Sequence, residues 1–345
     1  MAIRMINSKG EGGFALDTMI VSGVHLDHAW AGLCAPFGSA LRVWSRHILA
    51  VVVEEANQRN AGTLLIAGDL FDRSYALPKT IDYASQVLGT FDGYVLIVPG
   101  RSDWIDSASL YSTHKWALNT SICSDSDYRA SELAASVWTS AWTSPGASPP
   151  RVPDAAGPRV LVRAGMGEHD LDRLRIAPDD LTVTTGAIVA ERVLNVPELV
   201  HDPREAGGFA LLIDSAEPTK PAQRVDLPSP PGSLVEVDVT DETSTDALAA
   251  ATQAVLTPGS PVMLRLLGTL APGVLLPGFG GLELPPEVGL DLDSLRFATQ
   301  SVDEMDRSAR AEFLRAMANA NTAELQQHQT TALGLAALDA TVQGA

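Results

Sequence analysis

The chain has 345 residues, 46% of them hydrophobic, which is enough for one large domain and a smaller one and argues against disorder. Asp and Glu number 42 against 24 Lys and Arg, a formal net charge of -18. A surface that acidic repels phosphate backbones, so tight nucleic-acid binding by this chain alone is not expected unless a local basic groove or a basic partner brings DNA near. Cys34 and Cys123 are too few for a disulfide framework or a zinc site. Residues 1–13 carry no apolar signal-peptide core, and the strongest apolar run, residues 48–53, is broken by Glu54 and Glu55. Neither a signal peptide nor a bilayer span is read, and the expectation is a cytoplasmic protein.

In chain order, residues 18–24 read as a buried strand. Residues 41–60 read as a helix, with Val43, Trp44, Ile48, Val51 and Val52 at helical spacing and Asn60 and Gly62 suited to its end. Residues 63–67 form the next strand, residues 77–89 a helix opened by Pro78, and residues 94–98 a third strand stopped by Pro99 and Gly100. Such a β-α-β-α-β order predicts a parallel or mixed sheet covered by helices, an α/β fold whose chemistry collects at the carboxyl ends of the strands. Polar residues stand at all of these ends: His25 and Asp27, then Asp69 and Asp72, then Arg101, Ser102 and Asp103. They are expected to converge.

Residues 144–158 read as an exposed loop, and residues 159–163, 181–185 and 208–214 as strands. The proline-rich stretch 215–232 reads as a linker between domains. Beyond it, strands at 234–239 and 262–267 flank a helix at 245–256, a small α+β module. Met305, Ala309, Phe313 and Met317 recur at i+4 spacing, and a second helical stretch covers 322–342. The glycines at 275–281 lack the strand-turn-helix context and the Lys of a phosphate loop.

The motif order carries a resemblance. Gly68-Asp69-Leu70-Phe71-Asp72-Arg73 follows one strand, His25-Leu26-Asp27 follows the strand before it, and Pro99-Gly100-Arg101-Ser102-Asp103 the strand after it. This resembles the calcineurin-like metallophosphoesterases, and within them the SbcD and YhaO branch of DNA exonuclease subunits. The stretch with His114, Trp116 and Asn119 also suits that branch. The resemblance implies a four-layer α/β/β/α sandwich over residues 1–218, a capping α+β module over 219–300, and C-terminal helices over 301–345. In such enzymes two divalent ions about 3.5–4 Å apart clamp the phosphodiester and generate hydroxide. Carboxylate and imidazole ligands suit manganese.

Carried over residue by residue, that ligand shell is nearly empty. Gly23 stands where the resemblance expects the first Asp ligand. His25 matches the motif His, Asp69 the bridging carboxylate and Asp72 the second Asp. Arg101 replaces an Asn ligand and Ser102 the catalytic His, leaving no confident catalytic residue. Ala164-Gly165-Met166 stands where a lone His is expected, and Ala187 and Val189 where the last two His are expected. Only His25 and Asp69 survive as residual ligands, and one imidazole with one carboxylate cannot hold two ions. Glu168 with His169, and His201 with Asp202, read as ordinary loop pairs. Arg101, placed between Asp69, Asp72 and Asp103, is expected to neutralise carboxylates that metals would otherwise balance.

What the resemblance then implies is a non-catalytic subunit. Met305, Phe313 and Met317 would dock an SMC/SbcC-like ATPase, the chain would pair as a homodimer, and DNA would be reached only through the complex, in repair, processing or defence. No cofactor is expected on this reading. The alternative is an active, divergent Mn2+-dependent phosphodiesterase or exonuclease with a rebuilt one- or two-ion site drawing on Asp27, Asp72 and Asp103 besides His25 and Asp69.

Overall fold

The computed structural model describes residues 17–343 apart from 31–32, 34, 132–135, 149, 155–157, 167–169, 171–179, 186–192, 201–207, 216, 218, 241, 243, 257–258, 260, 272, 280–281, 299–302, 304 and 320–322. It is a mixed α/β molecule that divides into two compact units. One comprises Met1–Ala29 with Arg42–Pro230, the other Trp30–Leu41 with Pro231–Ala345.

The first unit holds two sheets. In the six-stranded sheet the central strands β1 (Asp17–Val21), β2 (Thr63–Ala67) and β3 (Tyr94–Val98) are parallel, and β4 (Thr120–Ile122) extends them in parallel. The chain returns later to add β10 (Phe209–Asp214) and β11 (Gln223–Asp226) antiparallel beside β1. The five-stranded sheet runs β5 (Arg129–Ala130), β6 (Val137–Thr139), β7 (Val160–Val162), β8 (Leu181–Thr184), β9 (Val193–Asn195), parallel from β6 onward.

Alternation decides how the sheets meet. Ile20, Leu65, Ala67, Leu96, Val98, Leu211 and Ile213 of the first sheet share one buried cluster with Val137, Val160, Val162, Leu181 and Val183 of the second. These residues sit two apart along their strands and therefore face one side. Their neighbours Met19, Val21, Leu64, Ile66, Val95 and Ile97 point the other way and are buried too. A parallel sheet buried on both faces explains why β1, β2 and β3 read as unbroken apolar runs. Helices α1 (Ala35–Gln58) and α2 (Pro78–Leu88) lie in the crossovers, with Ile48, Val52 and Ala56 of α1 and Ile81, Ala84 and Leu88 of α2 buried. A short α3 (Leu110–Thr113) precedes β4.

The expected linker at 215–232 is corrected in part. Residues 223–226 form β11, because Val225 is buried against β10 while the Gln, Arg and Asp around it face out as on an edge strand. The boundary between units falls at Pro230, so the expected end of the first domain at 218 leaves out a strand of its sheet.

In the second unit a parallel sheet joins β12 (Ser233–Asp238), β13 (Val262–Leu270), β14 (Val288–Asp291) and β15 (Leu295–Phe297), with α4 (Thr245–Val255) as the crossover. Helices α5 (Ala309–Ala318) and α6 (Glu324–Gln343) follow. The anticipated stripe of Met305, Phe313 and Met317 does not form one face. Met305 precedes the helix, whose N-cap is Ser308, and Ala311 and Leu314 are its buried positions. Phe313 is half-buried, its ring over Gly334 of α6, and Met317 is half-buried. Among the described residues no helix is long and apolar enough to cross a membrane.

One ion pair stands out energetically. Arg159 and Asp180, at the starts of β7 and β8, meet at 2.6 Å between Nη2 and Oδ2 and 3.0 Å between Nε and Oδ1, with both side chains nearly without solvent contact. Removing one partner strands a buried charge, so Asp180→Ala is expected to cost about 3–5 kcal/mol in urea unfolding. Lys220→Ala, breaking an exposed pair with Asp214, should leave the midpoint unchanged within error.

Candidate functional site

The site is built where β1, β2 and β3 end. Beyond β1 the chain turns sharply: Gly23, His25 and Asp27 have φ of 61°, 49° and 61°, and Asp69 after β2 has 55°. A left-handed backbone at three non-glycine residues is uncommon and clusters at functional loops. Backbone bonds keep the two turns in step, from His25 N–H to the Asp69 carbonyl at 3.0 Å and from Leu26 N–H to the Leu70 carbonyl at 3.0 Å. Gly68 lets the strand ends close in, since a Cβ there would lie 2.3 Å from the Ala164 Cβ beyond β7.

Asp103 lies at the centre of this assembly, fully buried. Its Oδ1 accepts the N–H groups of Gly100 at 2.6 Å and Asp69 at 3.2 Å. Its Oδ2 accepts the N–H of Leu70 at 2.8 Å and the hydroxyl of Tyr111 at 2.6 Å. Both oxygens are thus committed to the loops after β2 and β3. Burial and the neighbouring Asp69 carboxylate push its pKa up to about 7 against the pull of those donors. Tyr111 is in turn raised well above its usual range by burial and by Asp103. Asp69 accepts the Ser102 N–H at 2.9 Å.

His25 is buried, and its Nε2 lies 3.1 Å from a carboxylate oxygen of Glu198. Burial disfavours the imidazolium, yet the hydrogen bond with Glu198 and the charges of Glu198, Asp69 and Asp103 outweigh it, so the pKa is raised. Glu198 is the residue that sequence reasoning missed. It follows β9, far along the chain, and only a register between two sheets brings it here.

The other expected members point elsewhere. Asp27 binds Arg46 at 2.8 Å and also accepts from the Thr80 hydroxyl. Asp72 accepts from or pairs with His28 Nδ1 at 3.0 Å and caps the Ser74 N–H at 2.9 Å. Arg101 does not lie between the carboxylates. It is exposed, its Nε 3.5 Å from the Pro145 carbonyl and its guanidinium 5.6 Å from the centroid of the Trp142 ring. The turn after Gly100 directs Asp103 inward and Arg101 outward, so Asp103 is met by neutral donors, three peptide N–H groups and the Tyr111 hydroxyl, and not by the counter-charge expected from Arg101. Gly23 is in place at the site, whereas Ala187 and Val189, and the pairs Glu168–His169 and His201–Asp202, lie outside the described residues.

A second tie crosses between the sheets. Trp142 donates from Nε1 to the Ala164 carbonyl at 2.6 Å and from its backbone N–H to Pro99 at 3.1 Å, and accepts from Ile105 N–H at 2.8 Å. Arg163, buried at the end of β7, stacks on the same ring at 4.7 Å and donates to Ser140 Oγ and the Ala141 carbonyl.

Among the described residues, the donor set does not fit a two-ion centre. Asp103 has both oxygens turned to backbone donors and the tyrosine, Asp72 is held at His28, and Gly23 has no side chain to offer. No family model matches this chain, and no curated protein matches it.

A carboxyl with a raised folded pKa holds its proton more tightly in the native state, and a raised histidine loses its stabilising charge as pH climbs through its folded value. Both Asp103 and His25 therefore make stability fall as pH rises from the ordinary carboxylate range to about 7 and beyond. Asp69→Asn keeps an acceptor for Ser102 but removes a charge acting on both, and is expected to flatten that slope in denaturation series across this range. Tyr111→Phe, losing the 2.6 Å donor to Asp103, should cost about 1–3 kcal/mol.

Proposed function

We propose that this chain is a non-catalytic relative of the metallophosphoesterase nucleases, a pseudo-nuclease of the SbcD type built as an α/β/β/α sandwich with a capping module. It acts as a scaffold in the cytoplasm, pairing with a second copy and holding an SMC-like ATPase that supplies the affinity for DNA. Three strand ends of a parallel sheet, carrying His25, Asp69 and Asp103, support the family reading. The observation that carries the loss of catalysis is Gly23, which offers no side chain and is packed against Glu198, with Arg101 turned outward; Asp103, a spare carboxylate for a rebuilt site, has both oxygens accepting four donors from its own fold. An acidic surface of net charge -18 suits a subunit that meets a protein rather than a phosphate backbone. Of the three residues expected to dock the ATPase, Met305, exposed ahead of α5, is the one left open to a partner on this reading.

A one-ion hydrolase is the second reading, favoured by the approach of Glu198 to His25 beside Asp69. Manganese titration calorimetry on chelator-stripped protein, paired with hydrolysis of bis(p-nitrophenyl) phosphate, separates the two. The scaffold reading expects no binding heat at millimolar manganese and no turnover. Two tight sites would overturn it. One site, with turnover abolished in Asp69→Ala, would replace it by the hydrolase.

A further inference from the structure

The segment after β9 belongs to no sequence motif. Residues 196–200 read Val-Pro-Glu-Leu-Val, and Val196, Leu199 and Val200 are completely buried. The Val196 N–H donates to the Thr184 carbonyl at the end of β8, at 2.9 Å. The Leu199 and Val200 N–H groups donate to the carbonyls of Ser22 and Gly23 at the end of β1, each at 2.9 Å. Glu198 pairs in parallel with Ser22, and its carbonyl accepts from Gly208 at 3.3 Å. The segment therefore starts on one sheet and finishes on the other, lying across the carboxyl end of β1.

Gly23 is what admits it. A Cβ at position 23 would stand 2.4 Å from the Glu198 Cβ, 2.5 Å from its Cγ and 2.7 Å from its Cα, and the φ of 61° already disfavours a side chain. A side chain at 23 and the segment at 198 exclude each other. From this seat the Glu198 carboxylate reaches His25 Nε2 at 3.1 Å.

We infer that residues 196–200 form a built-in strap across the carboxyl end of β1, Glu198 presenting to His25 the carboxylate that β1 does not carry. The inference rests on the non-catalytic reading, because the strap fills the volume that a first-motif ligand side chain would need. It adds that the end of β1 is covered from within the chain, and that position 23 must stay glycine for the strap to seat. An aspartate placed there (G23D) displaces the strap instead of rebuilding a metal site.

The test is hydrogen exchange on the full chain, read at the Leu199 and Val200 amides with Leu65 and Ile66 of β2 as internal reference. Gly23→Ala is expected to speed exchange at Leu199 and Val200 by about tenfold or more and leave the β2 amides unchanged. Glu198→Ala, which adds no bulk, is expected to speed the same amides and to shift the His25 ring resonances. Folded Gly23→Ala protein with unchanged exchange at both strap amides overturns the strap. Should Gly23→Ala not fold, Glu198→Ala decides: unchanged exchange and an unmoved His25 signal overturn the inference, and their change supports it. Manganese added to the wild type tests the underlying reading separately. Tight binding with the strap amides still protected sinks the non-catalytic reading alone, whereas no binding together with freely exchanging strap amides sinks the strap alone.

Discussion

The arrangement depends on one buried carboxylate. Asp103 gathers the amides of Gly100, Asp69 and Leu70 and the hydroxyl of Tyr111, so the loops after β2 and β3 are folded around it. Taking an anion out of water is costly unless its lone pairs are filled by good donors. Here three of the donors are peptide N–H groups fixed by tight turns, and they cost little further entropy because the strand ends already hold them. The left-handed turn at Asp69 is part of the same device, since it presents the Asp69 and Leu70 N–H groups to Asp103 together.

Among the described residues, three contacts hold the loops of the two sheets together at this end of the molecule. Trp142 bonds to Pro99 and Ala164 and carries Arg163 on its ring. Ala164 approaches Gly68 so closely that neither position has room to grow. Residues 196–200 run from the end of β8 to the end of β1. Each of these is a packed or hydrogen-bonded contact between apolar or neutral groups, apart from the Arg163 guanidinium and the Glu198 carboxylate at His25. Such ties do not depend on an ion in solution, and so the proposed scaffold would keep its shape whatever the metal supply.

Much of the fold was legible because the central strands are buried on both faces. Thr63–Ala67 and Tyr94–Val98 are short apolar runs bounded by turn residues, a pattern with few other readings, and the structure returns the same bounds. β11 was hidden because it lies on the sheet edge, where only Val225 needs to be apolar and the surrounding prolines dominate the composition. The site was legible only in part. His25, Asp69 and Asp103 were found from their place after strands. Arg101 was misread because adjacent loop residues point in opposite directions, and one turn decides which of them faces inward. Glu198 carried no signal at all, since its contact with His25 exists only once β9 has been placed in the second sheet.

Strain and charge together bear on how such a pocket persists. His25, Asp27 and Asp69 hold left-handed backbones that cost free energy and persist only where the surrounding structure holds them. Other interactions must therefore stabilise these turns. The carboxylates answer for this. Relaxing the Asp69 turn would withdraw two amides from Asp103, and relaxing the His25 turn would part the imidazole from Glu198. Either change leaves a buried or half-buried charge with fewer partners, a larger penalty than the strained dihedral it would relieve. Strained turns and buried acids therefore stabilise each other.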